Sequence, residues 1–152
     1  MNSIIKGEDA QILLELLRRM DQGYTPTVQE EIELKTIETV DFRRLDLDTL
    51  PKSMQYLSAL QSLNVSGNQL RELPEFIGNM SALQSLNVSE NRLGELPEFI
   101  GNMSALQLLN VSHNELKALP ESIGNLSALR VLNASDNRLT KLPEGIGNLS
   151  AL

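Results

Sequence analysis

From Leu60 onward the apolar positions of the chain fall on one grid. Leu60, Leu63 and Val65 are interleaved with polar residues, Leu70 and Leu73 flank a polar turn, and Ile77 and Met80 complete the pattern before it restarts at Leu83. Restarts at Leu83, Leu106 and Leu129 set a period of 23 residues, too short for each copy to close a core of its own. The alternation over Ser62 to Ser66 predicts a short strand, Asn68 a turn, and Pro74 to Ala82 an irregular or helical-turn return. Copies that bury the same face against one another predict a stacked solenoid whose strands form one parallel sheet, ~4.8 Å apart.

The same grid extends, degenerately, over residues 37–59 through Ile37, Val40, Phe42, Leu47, Leu50, Pro51, Met54 and Leu57. Five tiles are therefore expected, at 37–59, 60–82, 83–105, 106–128 and 129–151. Ahead of them, Ile12, Leu13, Leu16, Leu17 and Met20 make a helical stripe over residues 8–20, with Asp9 as N-cap, Gly23 as stop and Pro26 beyond. Val28 to Thr36, where Val28, Ile32 and Leu34 stand among glutamates, reads either as a short helix or as an extended lead-in. Residues 1–36 together predict an amino-terminal cap, because the first turn of a solenoid exposes an apolar flank. No polar capping segment follows the last tile, so Leu132, Leu139, Leu142, Ile146, Leu149 and Leu152 are expected on an uncovered flank beside an unpaired strand edge. A homodimer through that edge is one expectation; truncation of a longer protein is the other.

Leu60-Gln-Ser-Leu63-Asn-Val65-Ser-Gly-Asn68-Gln-Leu70 resembles the leucine-rich repeat signature L-x-x-L-x-L-x-x-N-x-L at every fixed position, and Leu83, Leu106 and Leu129 open three more matches in phase. The following Leu-Pro-x-x-Ile-Gly-Asn is similar to the 23-residue "LP" subclass found in Ras-group-related plant proteins, animal signalling scaffolds and bacterial proteins, some of them secreted effectors. The resemblance covers residues 37–152. It implies an α/β fold, a right-handed leucine-rich repeat solenoid shaped as a short curved horseshoe, with the parallel sheet on its concave side. It also implies that Asn68, Asn91, Asn114 and Asn137 turn inward and tie adjacent turns together. Leu45 stands at that position in the first tile. For function the resemblance implies noncovalent protein binding or scaffolding. The alternatives are a targeting repeat domain of a bacterial effector enzyme whose catalytic domain lies outside this chain, and a self-associating structural module.

Composition narrows this further. The chain is 41% hydrophobic but only 3% aromatic, with no Trp, so its core is built of Leu and Ile in layers of near-constant size. A net charge of −7 argues against nucleic acid, which needs a basic face. Absence of Cys removes disulfides, thiolate nucleophiles and Cys-based zinc sites, and extracellular members of the family it resembles commonly cap their ends with disulfides. No apolar run is long enough for a membrane span, and MNSIIKGEDAQ lacks the basic and apolar regions of a secretory signal. A cytoplasmic location is expected, with a secreted effector as the alternative.

Candidate binding residues follow from the strand alternation. The central outward column is Asp41, Asn64, Asn87, Asn110 and Asn133; Thr39, Ser62, Ser85, Leu108 and Val131 run on one side of it, and Arg43, Ser66, Ser89, Ser112 and Ser135 on the other. The Asn column is expected to lie open to solvent and to tolerate substitution. Variation concentrates on the rim, in Arg44, Gly67, Glu90, His113 and Asp136 and in Asp46, Gln69, Arg92, Glu115 and Arg138. A protein partner is expected across this face and rim. Glu90, His113 and Asp136 offer the donor types of a divalent metal site, but an exposed ion-pair lattice from Arg92 to Glu115 to Arg138 accounts for the same charges, and no metal or cofactor is expected. Ser112, His113 and Asp136 hold triad residue types without a cleft or oxyanion hole, so no catalysis is expected.

Three further features carry less. Asn-x-Ser at Asn64, Asn79, Asn87, Asn102, Asn110, Asn125, Asn133 and Asn148 is set by the tile. Gly78, Gly101, Gly124 and Gly147 mark a backbone position that a Cβ would strain. Phe76 and Phe99 either pack locally or present a half-exposed anchor.

Overall fold

The computed structural model describes residues 3–152. Short strands form where apolar residues point inward between polar neighbours: β1 (Ile4–Ile5), β2 (Thr39–Asp41), β3 (Ser62–Asn64), β4 (Ser85–Asn87), β5 (Leu108–Asn110) and β6 (Val131–Asn133). They make one six-stranded parallel sheet in chain order. Pairing from Val40 to Leu63, Leu86, Leu109 and Leu132 keeps the tile register throughout. Each tile returns through a 3₁₀-helix entered from a proline: Lys52–Tyr56, Glu75–Asn79, Glu98–Asn102, Glu121–Asn125 and Glu144–Asn148. Between sheet and returns lies one continuous core in which Leu63, Leu86, Leu109, Ile77, Ile100 and Ile123 repeat layer by layer.

The cap contains a strand that periodicity does not reveal, since β1 adds only Ile4 and Ile5 to the edge of β2. Helix α1 (Glu8–Asp21) follows. Asp9 is not its N-cap: the helix starts after Gly7, whose φ is 60°, and no side chain caps it. Glu8 and Asp9 instead lie in the first turn and Arg18 and Arg19 in the last, both favourable to the helix dipole. The buried stripe is Ala10, Leu13, Leu14 and Leu17, joined by Leu16, while Ile12 is exposed. That set follows i, i+3, i+4, i+7 and presents one face to the first tile. Gly23, with φ 100°, ends the helix as its sequence suggested.

The ambiguous second segment is a helix, α2 (Val28–Leu34). Its start is fixed by a capping box in which the Thr27 hydroxyl accepts from the Glu30 N–H at 3.2 Å and the Thr27 N–H donates to Glu30 Oε2 at 2.7 Å. The Thr27 amide holds the Glu30 carboxyl below its ordinary range, helped by the Tyr24 hydroxyl. Only Leu34 of this helix is buried; Val28 and Ile32 face solvent.

Cap and solenoid are joined by a carboxylate. Asp21, at the end of α1, accepts from the Lys52 and Ser53 N–H groups at 2.8 Å each and from the Ser53 hydroxyl. It thereby satisfies the free donors at the start of the first 3₁₀-helix. In the last two returns the glutamate of the preceding return takes this part: Glu98 Oε2 accepts from Ser122 N–H at 3.3 Å and Glu121 Oε2 from Gly145 N–H at 3.1 Å.

Inside the turns, Asn68, Asn91, Asn114 and Asn137 each reach back to the preceding tile. Asn114 Oδ1 accepts from Leu93 N–H at 2.9 Å, and its Nδ2 donates to Val88 O at 3.0 Å and Val111 O at 3.1 Å. Asn91 and Asn137 repeat this geometry on Leu70 and Leu116. Asn68 accepts from both Leu45 and Leu47. The backward reach explains Leu45: each amide serves the tile before it, and the first tile has the cap behind it. Leu45 instead packs half-buried on the core.

Just before this Asn, and before Leu45 in the first tile, the backbone turns left-handed, with φ of 52–55° at Arg44, Glu90, His113 and Asp136 and 68° at Gly67. The repeated glycines of the returns have a different cause. A Cβ on Gly101 would sit 2.6 Å from Ser122 O, and one on Gly124 2.5 Å from Gly145 O, so close stacking of successive returns demands glycine. Gly147 departs from that expectation, with nothing within 4 Å of its would-be Cβ. Phe76 is buried and Phe99 packs half-buried against the core, its ring above Gly78, which makes packing their role.

Replacing Asp21 with Ala strips the first 3₁₀-helix of its charged cap and should cost about 1–2 kcal/mol in chemical denaturation. An unchanged midpoint would mean that apolar contacts of α1 alone dock the cap.

Candidate functional site

The sheet exposes a grid on the side away from the core. Asn64, Asn87, Asn110 and Asn133 stand in one register column, as do Ser62, Ser85, Leu108 and Val131. The Asn column is not idle. Asn110 Oδ1 accepts from the Ser112 N–H at 3.0 Å and its hydroxyl at 2.7 Å, and Asn87 and Asn133 do the same to Ser89 and Ser135. These are local side-chain turns that fix the exit of each strand. Ser89 and Ser112 are consequently buried rather than facing solvent. Substitution at Asn110 is therefore not free, since it would orphan a buried Ser112 amide.

At the first tile the equivalent residues neutralise each other. Arg43 Nε lies 2.9 Å from Asp41 Oδ2, with Nη2 on the same oxygen. The Arg43 guanidinium holds the Asp41 carboxyl below its ordinary range. The middle tiles offer only Ser and Asn. At the last two tiles the column beside Asn changes character, with Leu108 and Val131 exposed and paired across β5 and β6.

Along the rim, Arg44, Glu90, His113 and Asp136 are exposed and all sit in left-handed backbone. His113 Nε2 is 3.4 Å from Asp136 Oδ2, and Arg138 Nη2 is 3.2 Å from Glu115 Oε2. Arg92 makes no ion pair with Glu115 among the described residues, so the expected lattice forms at one of its two links. Exposed pairs of this kind contribute ~0.2–1 kcal/mol and leave the groups accessible. Glu90, His113 and Asp136 do not converge: no group of three His, Asp or Glu with metal-holding geometry occurs among the described residues.

The flank of the last tile is only partly open. Leu149 is buried and Leu132, Leu139 and Ile146 are half-buried against the core; Leu142 and Leu152 are exposed. Two features escaped the sequence. Asp21 carries no motif, and a cleft of about 760 Å³ lies between the α1–α2 loop and the first return, lined by Tyr24, Pro26, Lys35, Lys52 and Tyr56 among others. Asp21 and Glu31 on its walls balance the two lysines. Among the described residues, no helix is long and apolar enough to cross a membrane.

Comparison with known proteins agrees with this geometry. A leucine-rich repeat region profile matches residues 85–152, and a leucine rich repeat profile matches residues 59–80. No curated protein sequence matches the chain significantly. Among solved structures, a leucine-rich repeat protein of Leptospira interrogans is 30% identical over 85% of this chain and 39% of its own, with TM-score 0.69. The plant peptide hormone receptor RGFR1, solved in complex with RGF2, is 34% identical over 78% of this chain and 20% of its own, with TM-score 0.71. The BIR3–SERK2 complex from Arabidopsis thaliana yields a match 30% identical over 72% of this chain and 62% of that one, with TM-score 0.66. The chain thus spans less than two thirds of each of these proteins. Signature, register and inward Asn agree with both profiles, and the chain belongs to the leucine-rich repeat family.

Proposed function

We propose that the chain binds a protein partner noncovalently through its strand face and the adjoining rim. The observation that carries this reading is the rim backbone. A non-glycine residue in left-handed conformation costs roughly 1–2 kcal/mol, and Gly67 demonstrates that the tile accepts glycine there. Arg44, Glu90, His113 and Asp136 nonetheless keep long or charged side chains at that position, on tiles that otherwise copy one another. Strain retained at exposed, variable positions supports a recognition role. The leucine-rich repeat fold is that of protein-interaction modules, and the RGF2 and BIR3–SERK2 complexes among its neighbours support the reading by analogy.

Exchanging the rim pair as Glu115→Arg with Arg138→Glu keeps the ion pair while inverting the pattern a partner meets. Affinity capture from an extract of the source cells should lose the partner by about tenfold or more. Equal capture by both chains would contradict binding at the rim.

A second reading, self-association of the 152-residue chain, is favoured by exposed Leu142 and half-buried Ile146 beside the outer edge of β6. Light scattering across a dilution series should then give a dimer that Leu142→Glu with Ile146→Glu converts to a monomer. A wild-type monomer at every concentration ends this reading.

A further inference from the structure

Tiles that copy one another make their departures informative, and the largest departure on the strand face is apolar. In the column beside the Asn residues, Thr39, Ser62 and Ser85 give way to Leu108 and Val131. Their register pairing places the two side chains next to each other across β5 and β6, 36% and 51% exposed. Nothing in the fold requires them, because Ser62 and Ser85 serve the same strand positions with the same inward partners. Burying both would remove apolar surface from water at a gain of about 25 cal/mol per Å².

Charge around the pair is one-sided. Arg130 immediately precedes Val131, is exposed, and forms no ion pair among the described residues; its equivalents are Glu38, Gln61, Gln84 and Gln107. On the rim side the charges of these two tiles are already matched, His113 with Asp136 and Arg138 with Glu115. Glu90 stands exposed on the rim of the preceding tile. An acidic group is therefore attracted on the Arg130 side and repelled near Glu90.

We infer that Leu108 and Val131 form the anchoring subsite of the strand face, taking a linear peptide segment of another protein that presents an apolar side chain flanked by an acidic residue on the Arg130 side. This rests on the strand-face reading proposed above and adds to it the subsite and the chemistry of the ligand. Apolar anchors surrounded by weaker polar contacts are where interface energy concentrates, and Arg130 sets the register of the segment.

The test is selection of a display library of random linear peptides on the full chain, followed by binding of the enriched peptides to three variants. Leu108→Ser with Val131→Ser restores the residue of the second and third tiles, so its thermal midpoint should be unchanged. That variant should lose about tenfold or more in affinity, Arg130→Gln should lose less and mainly at low salt, and the enriched sequences should pair an apolar residue with Asp or Glu. Failure to enrich any peptide, enrichment of basic peptides, or binding indifferent to Leu108→Ser with Val131→Ser would each overturn the inference. Peptides indifferent to that variant but lost on the Glu115→Arg, Arg138→Glu exchange would leave the rim reading standing; peptides indifferent to both would remove it as well.

Discussion

One inward amide on each tile after the first holds this structure together. Each turn leaves backbone donors and carbonyls facing the core where no water can reach them, and an unpaired buried group costs roughly 1–3 kcal/mol. Asn91, Asn114 and Asn137 each collect one donor and one acceptor from the previous tile and two acceptors from their own. No buried side-chain polar atom among the described residues lacks a partner. The leucine layers supply the gross driving force, but they are nearly identical from tile to tile and would permit slippage. Amide pairing at fixed spacing pins the register and couples each tile to its neighbour.

Everything else can be seen as a response to that backward coupling at its ends and edges. At the amino end the first tile needs no amide of its own, which lets Leu45 stand in the series, while Asp21 replaces the glutamates that cap later returns. At the turns the chain needs a left-handed residue before each Asn, a position glycine would fill at least cost. On the strand face the Asn and Ser side chains close on their own backbone, and the positions that vary from tile to tile are those of the rim and of the column holding Leu108 and Val131.

Much of this was legible in the sequence because it repeats. The positions of Leu63, Leu86 and Leu109 and the parallel register follow from the period, and the inward Asn residues from the resemblance to the leucine-rich repeat signature. The departures have physical reasons. β1 has two residues, too few for periodicity to speak. Asp21 caps a helix some thirty residues downstream, a contact created by the docking of α1 rather than by local pattern. Strand alternation predicted Ser89 and Ser112 to be exposed, but the strand ends at Asn87 and Asn110, and alternation lapses where the Asn side chains bend the backbone. The rim residues were identifiable from their variation, yet their left-handed backbone was visible only at Gly67. No single site residue could be assigned a partner from sequence, since charge reversal along a rim reads the same whether it is recognition or mutual neutralisation.

The inward amides, and not the leucine layers alone, lock successive tiles. Native-state hydrogen exchange of the Leu70, Leu93 and Leu116 amides, in the wild type and in Asn114→Ala, tests it most directly. These three should exchange as slowly as the amides of Val65, Val88 and Val111, which donate to the Asn87, Asn110 and Asn133 carbonyls of the next tile, and Asn114→Ala should free Leu93 far more than Leu70. Rapid exchange at Leu93 in the wild type, or protection there that survives Asn114→Ala, would contradict it.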